Sequence, residues 1–339
     1  MSKYRLHAVA VAAGLLTAAS AASAAVTLTV SSWLPPTHLL SRAQADWCAE
    51  VTKATDSRVS CNILPKPVAP APATFDAVRD GVADMSYSVQ GYTPGRYVVT
   101  KIAEMPFLGE SAISTSVAYE RIHRKYLAKL DEHRGLHVIT VFTHGPGNIY
   151  NNKHPVRSLA DLEGIKFRVG GGVVNDLGKA IGANMTLKPA SQSYELMSSG
   201  VVDGVWLPDE SIISFKLDKL VKYRTNLPGG LYNTSFAFVM NPAVWAKIPK
   251  ADQDIIAKFS GEWAARHFGK YWDEDDLKSR ALQQAGGIQF YTADAKFVAD
   301  FKAKAATVEA AWVKEAEDKG LKGAANILNE FRAEIAKLQ

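Results

Sequence analysis

What most constrains this chain is a punctuated alternation. Short β-rich runs, each closed by glycine, proline or polar residues, give way to stretches whose apolar residues recur at helical spacing. Residues 26–33 (VTLTVSSW), 59–64, 83–89 and 137–143 read as strands. Residues 38–55, with Leu39, Ala43, Trp47 and Val51 on one face, read as the first helix, and 74–80 and 114–133 as later ones. This order predicts an α/β protein with a parallel or mixed sheet and helices on both faces. The sharpest instance is Ile165-Lys166-Phe167-Arg168-Val169 followed by Gly170-Gly171-Gly172, with a helix over 173–181. Alternation puts Ile165, Phe167 and Val169 on one face and Lys166 and Arg168 on the other. Arg168 then sits at the carboxyl end of a strand, where open α/β sheets collect ligands. Its guanidinium is a planar fork of donors suited to a carboxylate, or to an ordinary salt bridge between surfaces or domains.

The chain has 339 residues, a length that suggests two domains, and its 47% hydrophobic and 22% charged content is that of a globular protein. Its first 24 residues stand apart. Lys3 and Arg5 precede a small, apolar run over 7–20, and Ala22-Ser23-Ala24 fits a small-x-small cleavage site, so residues 1–24 read as a secretory signal peptide. The run is too short to span a membrane. Removing Lys3 and Arg5 lowers the net charge from +5 to +3. With no long Lys/Arg run either, nucleic-acid binding is not expected. The expected location is the periplasm of a Gram-negative bacterium, as a monomer. Cys48 and Cys61 are the two cysteines of the chain. In an oxidising compartment they read as a disulfide tying the first helix to the second strand, or else as two buried thiols. A loop this short would contribute on the order of 3 kcal/mol when closed.

Farther on, 185–188, 204–207, 223–227, 232–240 and 288–291 read as strands, and 191–199, 294–319 and 322–337 as helices. Residues 250–284 hold no proline and carry Ile255, Ile256, Phe259, Trp263, Phe268 and Trp272 at helical spacing. One helix of about 30 residues would run some 45–50 Å, long enough to lie along both domains.

Taken together, the residues resemble a known family. In order they are Ser32-Trp33-Leu34-Pro35-Pro36-Thr37-His38, Gly81-Val82-Ala83-Asp84, Glu104-Met105-Pro106-Phe107-Leu108, the run from Leu159 through Arg168, Gly200-Val201-Val202-Asp203-Gly204, and Phe238-Val239-Met240-Asn241 with Trp245. The order resembles the solute-binding proteins of tripartite ATP-independent periplasmic (TRAP) transporters, of the dicarboxylate-receptor type. The resemblance implies a two-lobed periplasmic binding protein fold with crossing strands and a long interdomain helix. It implies a small organic acid as ligand, an arginine at the position of Arg168 that binds its carboxylate, and TRAP permease membrane subunits as partners. On this basis 25–145 with about 233–265 form lobe I, 146–232 with about 287–339 form lobe II, and about 250–285 span both. After Asp203-Gly204 the chain departs from the pattern. Many relatives carry Glu-Asn-Pro-like polar residues there, whereas here stand Val205-Trp206-Leu207-Pro208. An apolar wall suits an aromatic or apolar monocarboxylate better than a highly hydroxylated ligand, with a C4-dicarboxylate or 2-oxo acid as the alternative.

Candidate ligand-binding residues beside Arg168 are Trp206 and Trp33 as walls, although Trp33 also reads as core. His38 is either a donor or a helix cap. Arg96, next to Tyr92 in a Gly/Pro loop, is a possible second clamp. His144 lies beside a Gly-Pro-Gly turn, and Asn233 and Phe236 lie on a strand expected to cross between lobes. No cofactor is expected, since Gly170-Gly171-Gly172 lacks the third glycine of a dinucleotide loop, with Asn175 in its place. No metal is expected either. Asp273-Glu274-Asp275-Asp276 reads as a solvated helix face, and no His-Glu-x-x-His occurs. The leading reading is a receptor that performs no chemistry. A periplasmic hydrolase using His144 is the competing class, against which the absence of a Gly-x-Ser-x-Gly elbow counts, and a sensor subunit is a third.

Overall fold

The computed structural model describes residues 25–339, and the signal peptide expected over 1–24 lies outside the described residues. Its strands form two sheets, each the centre of one lobe. The first contains β1 (Val26–Val30), β2 (Val59–Ile63), β3 (Met85–Val89), β4 (His137–Thr143) and β10 (Ser235–Met240), in the order β2-β1-β3-β10-β4. The second contains β5 (Asn148–Asn151), β6 (Lys166–Val169), β7 (Asn184–Leu187), β8 (Gly204–Leu207), β9 (Tyr223–Asn226) and β11 (Gln289–Thr292), in the order β11-β9-β5-β8-β6-β7. Both sheets are mixed. Parallel pairs such as β1/β2 and β6/β7 sit beside antiparallel pairs such as β10/β3 and β5/β8. The chain passes from the first sheet to the second between β4 and β5, through Gly145-Pro146-Gly147, and returns between β9 and β10.

Helices cover the faces: α1 (Leu39–Ala54), α2 (Thr74–Arg79) and α3 (Ala112–Ile122) around the first sheet, α4 (Val173–Ala180), α5 (Ser193–Ser198) and α6 (Asp209–Ser214) around the second. The α-helix expected over 114–133 runs from Ala112 to Ile122 and continues as a wider π turn to Leu127 and a tighter 3-10 turn to Leu130. Cys48 of α1 and Cys61 of β2 form the disulfide, with 5.8 Å between their Cα atoms. No helix among the described residues is long and apolar enough to cross a membrane.

After α7 (Pro242–Lys247), the helix expected over 250–284 is two helices, α8 (Lys250–Lys258) and α9 (Glu262–Ala285). Gly261, at φ +61°, makes the break, and β4 pins it: its N–H donates to the Ile139 carbonyl at 2.8 Å, and Thr140 Oγ1 donates to its carbonyl at 3.0 Å. The remaining 24 residues of α9, about 36 Å long, still bridge the lobes, packing on α1 and α3 of the first and α6 of the second. The acidic run on α9 is not a solvated face. Asp273 accepts from the Ser111 hydroxyl and from the N–H groups of Ala112 and Ile113, so it caps α3. Asp275 pairs with Arg42, and buried Asp276 accepts the Glu210 N–H at 2.7 Å, inside the first turn of α6. Asp273 serves a helix N-terminus, which favours negative charge, whereas burial pushes the Asp276 carboxyl well above its ordinary range. The final helices α10 (Ala295–Asp318) and α11 (Ala324–Leu338) divide. α10 packs on α4, whereas α11 packs on α3, with Phe331 6.5 Å from Tyr119. The apolar face of α11 (Ile327, Leu328, Phe331, Ile335) is buried, and the helix touches both α3 and α10.

Candidate functional site

A cavity lies where the two lobes meet, lined by side chains of both. Arg168 reaches it from the second sheet. It stands on β6 between β7 and β8, opposite Thr186 and Val205, and is 1% exposed. Its Nε donates to the Lys188 carbonyl at 2.8 Å. Among the described residues its two terminal nitrogens have no hydrogen-bond partner, and no carboxylate lies within ion-pair distance. A buried cation without a counter-charge is costly, and such groups are normally paired. The helix N-terminus next to it, that of α4, is already occupied. Glu104 of the first lobe accepts the Val173 N–H at 2.8 Å, and its other oxygen accepts from the Ser235 hydroxyl at 2.6 Å. Burial raises the Glu104 carboxyl to about 7.

The glycines after β6 let the lobes touch. A Cβ on Gly171 would stand 2.4 Å from the Gly91 carbonyl oxygen, and one on Gly172 would stand 2.0 Å from Glu104. Their φ values of +94° and +71° also favour glycine. Tyr92 joins the lobes as well, its hydroxyl accepting the Ala190 N–H at 2.9 Å.

The walls are aromatic. Trp33 lines the cavity, donating its Nε1 hydrogen to the Tyr87 carbonyl at 3.1 Å and meeting Tyr92 edge-on at 5.9 Å. Phe236 lines it too, stacked on Phe142 at 5.0 Å, which in turn stacks on Phe268 of α9 at 4.4 Å. Tyr232, Phe215 and Trp272 complete the ring, and the sequence had not pointed to any of the three. Spacing offered a usable signal for Tyr232, because it lies four residues before Phe236 on an extended segment. Trp272 stands on α9 and Phe215 directly follows α6, and the approach of both helices to the cavity depends on lobe packing.

Two histidines face the cavity. His38 is the N-cap of α1, its Nδ1 accepting the Leu40 N–H at 3.1 Å, and its Nε2 stands 3.5 Å from Glu210 Oε2. Burial lowers the His38 pKa to about 3 and raises that of Glu210 to about 8. Near neutral pH the pair is therefore a neutral ring beside a protonated acid and not a salt bridge. His144 follows β4 and packs among Tyr232 (5.4 Å), Trp272 (5.6 Å) and Phe236 (6.2 Å). Burial lowers its pKa to about 4, so it too is neutral.

Three expected site residues lie elsewhere. Trp206 is not a wall. It is fully buried in the core, 6.0 Å from Phe167 and 6.5 Å from Tyr232. On β8 successive side chains alternate, so Leu207 reaches the cavity and Trp206 points through the opposite face of the sheet. Asn233 fails by the same rule. Tyr232, Thr234 and Phe236 line the cavity, and Asn233 between them is buried facing away. Arg96 is bound to Asp76 at 2.8 Å and lies over the Tyr97 ring at 5.2 Å, in a separate surface cleft. It supplies no second clamp.

Residues 30–316 match the model of the bacterial extracellular solute-binding proteins, family 7 (DctP). The chain is similar to a TRAP periplasmic solute-binding protein from Bordetella bronchiseptica with bound (R)- and (S)-mandelate, at 42% identity and a TM-score of 0.90, covering 93% of this chain and 100% of that one. It is similar to a marine-metagenome TRAP solute-binding protein specific for aromatic acid ligands, in complex with 3-hydroxybenzoate (30% identity, TM-score 0.87, 93% and 99% covered). A TRAP solute-binding protein from Rhodoferax ferrireducens with copurified benzoate is similar at 28% identity and a TM-score of 0.86, with 92% and 98% covered.

Proposed function

Since the chain belongs to the family 7 extracellular solute-binding proteins, the receptors of TRAP transporters, we propose that it captures an aromatic monocarboxylate between its lobes and delivers it to the membrane permease subunits. Residues 1–24 would direct it to the periplasm. It binds the acid and performs no chemistry on it. The observation that carries this reading is Arg168, a buried guanidinium whose terminal nitrogens have no protein partner. A carboxylate entering the cavity supplies the missing charge through two parallel hydrogen bonds. The ring of the acid lies against Trp33, Phe236 and Trp272. At roughly 25 cal/mol per Å², burying ~100 Å² of ring contributes about 2.5 kcal/mol. A C4-dicarboxylate fits poorly, because its second charge would face neutral histidines and no other arginine lines the cavity among the described residues. The bound acids of the similar receptors, mandelate, 3-hydroxybenzoate and benzoate, each carry one carboxylate on one aromatic ring, which supports the same class.

Thermal shift and titration calorimetry of the mature protein test it, with benzoate, mandelate and 3-hydroxybenzoate against succinate and malate. An aromatic acid at 100 times its Kd should add about 2.7 kcal/mol of stability. Tight binding of succinate or malate, with no heat from any aromatic acid, overturns the proposal.

A further inference from the structure

The cavity is chemically asymmetric beyond its one positive charge. His144 Nδ1 lies against the carbonyl oxygen of Gly145. A carbonyl can only accept, so Nδ1 carries the ring hydrogen. The ring is neutral at pH 7 because burial holds its pKa near 4, and a neutral imidazole with hydrogen on Nδ1 leaves Nε2 a bare acceptor. Among the described residues nothing donates to Nε2, although the ring is 4% exposed and lines the cavity. His38 is the mirror case. Its Nδ1 already accepts the Leu40 N–H, so its Nε2 carries the hydrogen. That hydrogen already faces Glu210 Oε2, 3.5 Å from the nitrogen, so the cavity presents a cationic fork and one free acceptor, His144 Nε2. The carboxylate of a bound acid is drawn to Arg168 and repelled by the lone pair of His144. The group that satisfies His144 must be an O–H or N–H.

We propose that His144 is a specificity-determining residue of this receptor, its Nε2 accepting a hydrogen bond from a hydroxyl of the ligand, so that hydroxylated aromatic monocarboxylates are selected over their deoxy analogues. The inference rests on the aromatic monocarboxylate reading and goes one step past it. A site that leaves a polar group unpaired discriminates against the analogue lacking its partner. Here a water entering with the deoxy acid can satisfy Nε2 in part, so the preference is about tenfold rather than the several orders of magnitude of a sealed site. The structure places the acceptor and not the ring position of the hydroxyl, so the test carries a side-chain and a ring hydroxyl in separate arms.

Calorimetry with the wild type compares mandelate with phenylacetate and 3-hydroxybenzoate with benzoate. In at least one pair the hydroxylated acid should bind about tenfold more tightly. In His144→Phe, which keeps an aromatic ring, that ratio should fall below about twofold. Fluorine is close in size to a hydroxyl and cannot donate, so α-fluorophenylacetate and 3-fluorobenzoate should bind the wild type like the deoxy acids. This arm holds even if His144→Phe does not fold. The inference is overturned if aromatic acids bind the wild type with no preference in either pair, if the fluoro acids match the hydroxy acids, or if the folded variant keeps the ratio. Should no aromatic acid bind at all, the parent reading falls, and this inference with it.

Discussion

Two buried arginines on the second sheet differ in one respect. Arg224 of β9 and Arg168 of β6 are 5% and 1% exposed. Arg224 is fully engaged inside the protein. Its Nε and Nη2 donate to the two oxygens of Asp209 at 2.6 and 2.9 Å, its guanidinium lies 4.7 Å from the centre of the Phe290 ring, and Arg280 of α9 adds a further donor to Asp209 at 2.9 Å. Arg168 has one backbone carbonyl and no carboxylate. Because a buried charge needs a partner, Arg224 is a structural residue, and under the proposed function the partner of Arg168 is the carboxylate of the ligand. One sheet thus holds two arginines of similar burial, one locking α6 and α9 to the lobe and the other without a protein counter-charge.

The largest effect should come from Arg168→Ala. Binding of the aromatic acid should weaken by at least about a thousandfold, about 4 kcal/mol. The unfolding free energy of the ligand-free protein should stay level or rise, because an unpaired buried charge has been removed. Arg168→Lys should recover little, because the planar fork is lost. Calorimetry with denaturant unfolding checks this, and a Kd within threefold of wild type would break the contrast.

Next in size, Arg224→Ala should lose about 3 kcal/mol of unfolding free energy while the Kd moves only a few-fold. That loss should depend on pH. In the native protein burial pushes the Asp209 carboxyl up, but the charges and hydrogen bonds of Arg224, Tyr150 and Arg280 together outweigh it and hold the group below its ordinary 3.8. The wild type therefore keeps this stability at every pH above 3.8 and loses it only below. Without Arg224, burial lifts the carboxyl above its unfolded value, so the variant pays for an ionised Asp209 at pH 7 and recovers as pH falls toward 4. The gap between the two proteins should narrow on acidification, by about 1.4 kcal/mol for each unit the carboxyl has risen. A gap that is constant from pH 7 to 4.5 would mean that Arg280 alone keeps Asp209 ionised.

Smallest is Arg96→Ala. Its partner Asp76 is 43% exposed, so the ion pair is solvent-screened. Stability should change by less than about 1 kcal/mol and the Kd for the acid not measurably. A tenfold weakening would return Arg96 to the binding site and make Arg168 one of two clamps.

Much of the fold and part of the site were legible before the structure, though unevenly. Strand and helix alternation, the Lys-Phe-Arg strand end with its glycines, and two lone cysteines in a chain expected to be exported are local patterns with local causes. They anticipated the α/β lobes and the Cys48–Cys61 bond, and they put Arg168 at a strand end beside the glycines, where it lines the cavity. Helical spacing over 250–284 misled, because the period runs on through Ser260-Gly261 while β4 holds Gly261 in a left-handed turn. Trp206 and Asn233 were one residue from the lining positions Leu207 and Thr234.

That last offset marks the division. The sequence by itself determined the period of each strand, and so which residues share a face, because side-chain alternation is a property of a few consecutive residues. Which of the two faces looks into the cavity was decided by the tertiary structure, through the layers that cover each sheet. The same holds for charge. An arginine in Tyr-Arg-Thr-Asn and one in Lys-Phe-Arg-Val look equally suited to bind an acid until the fold brings Asp209 to one and leaves the other facing an open cavity. Partnership between charges acts through space across a low-dielectric interior, and chain order does not encode those distances.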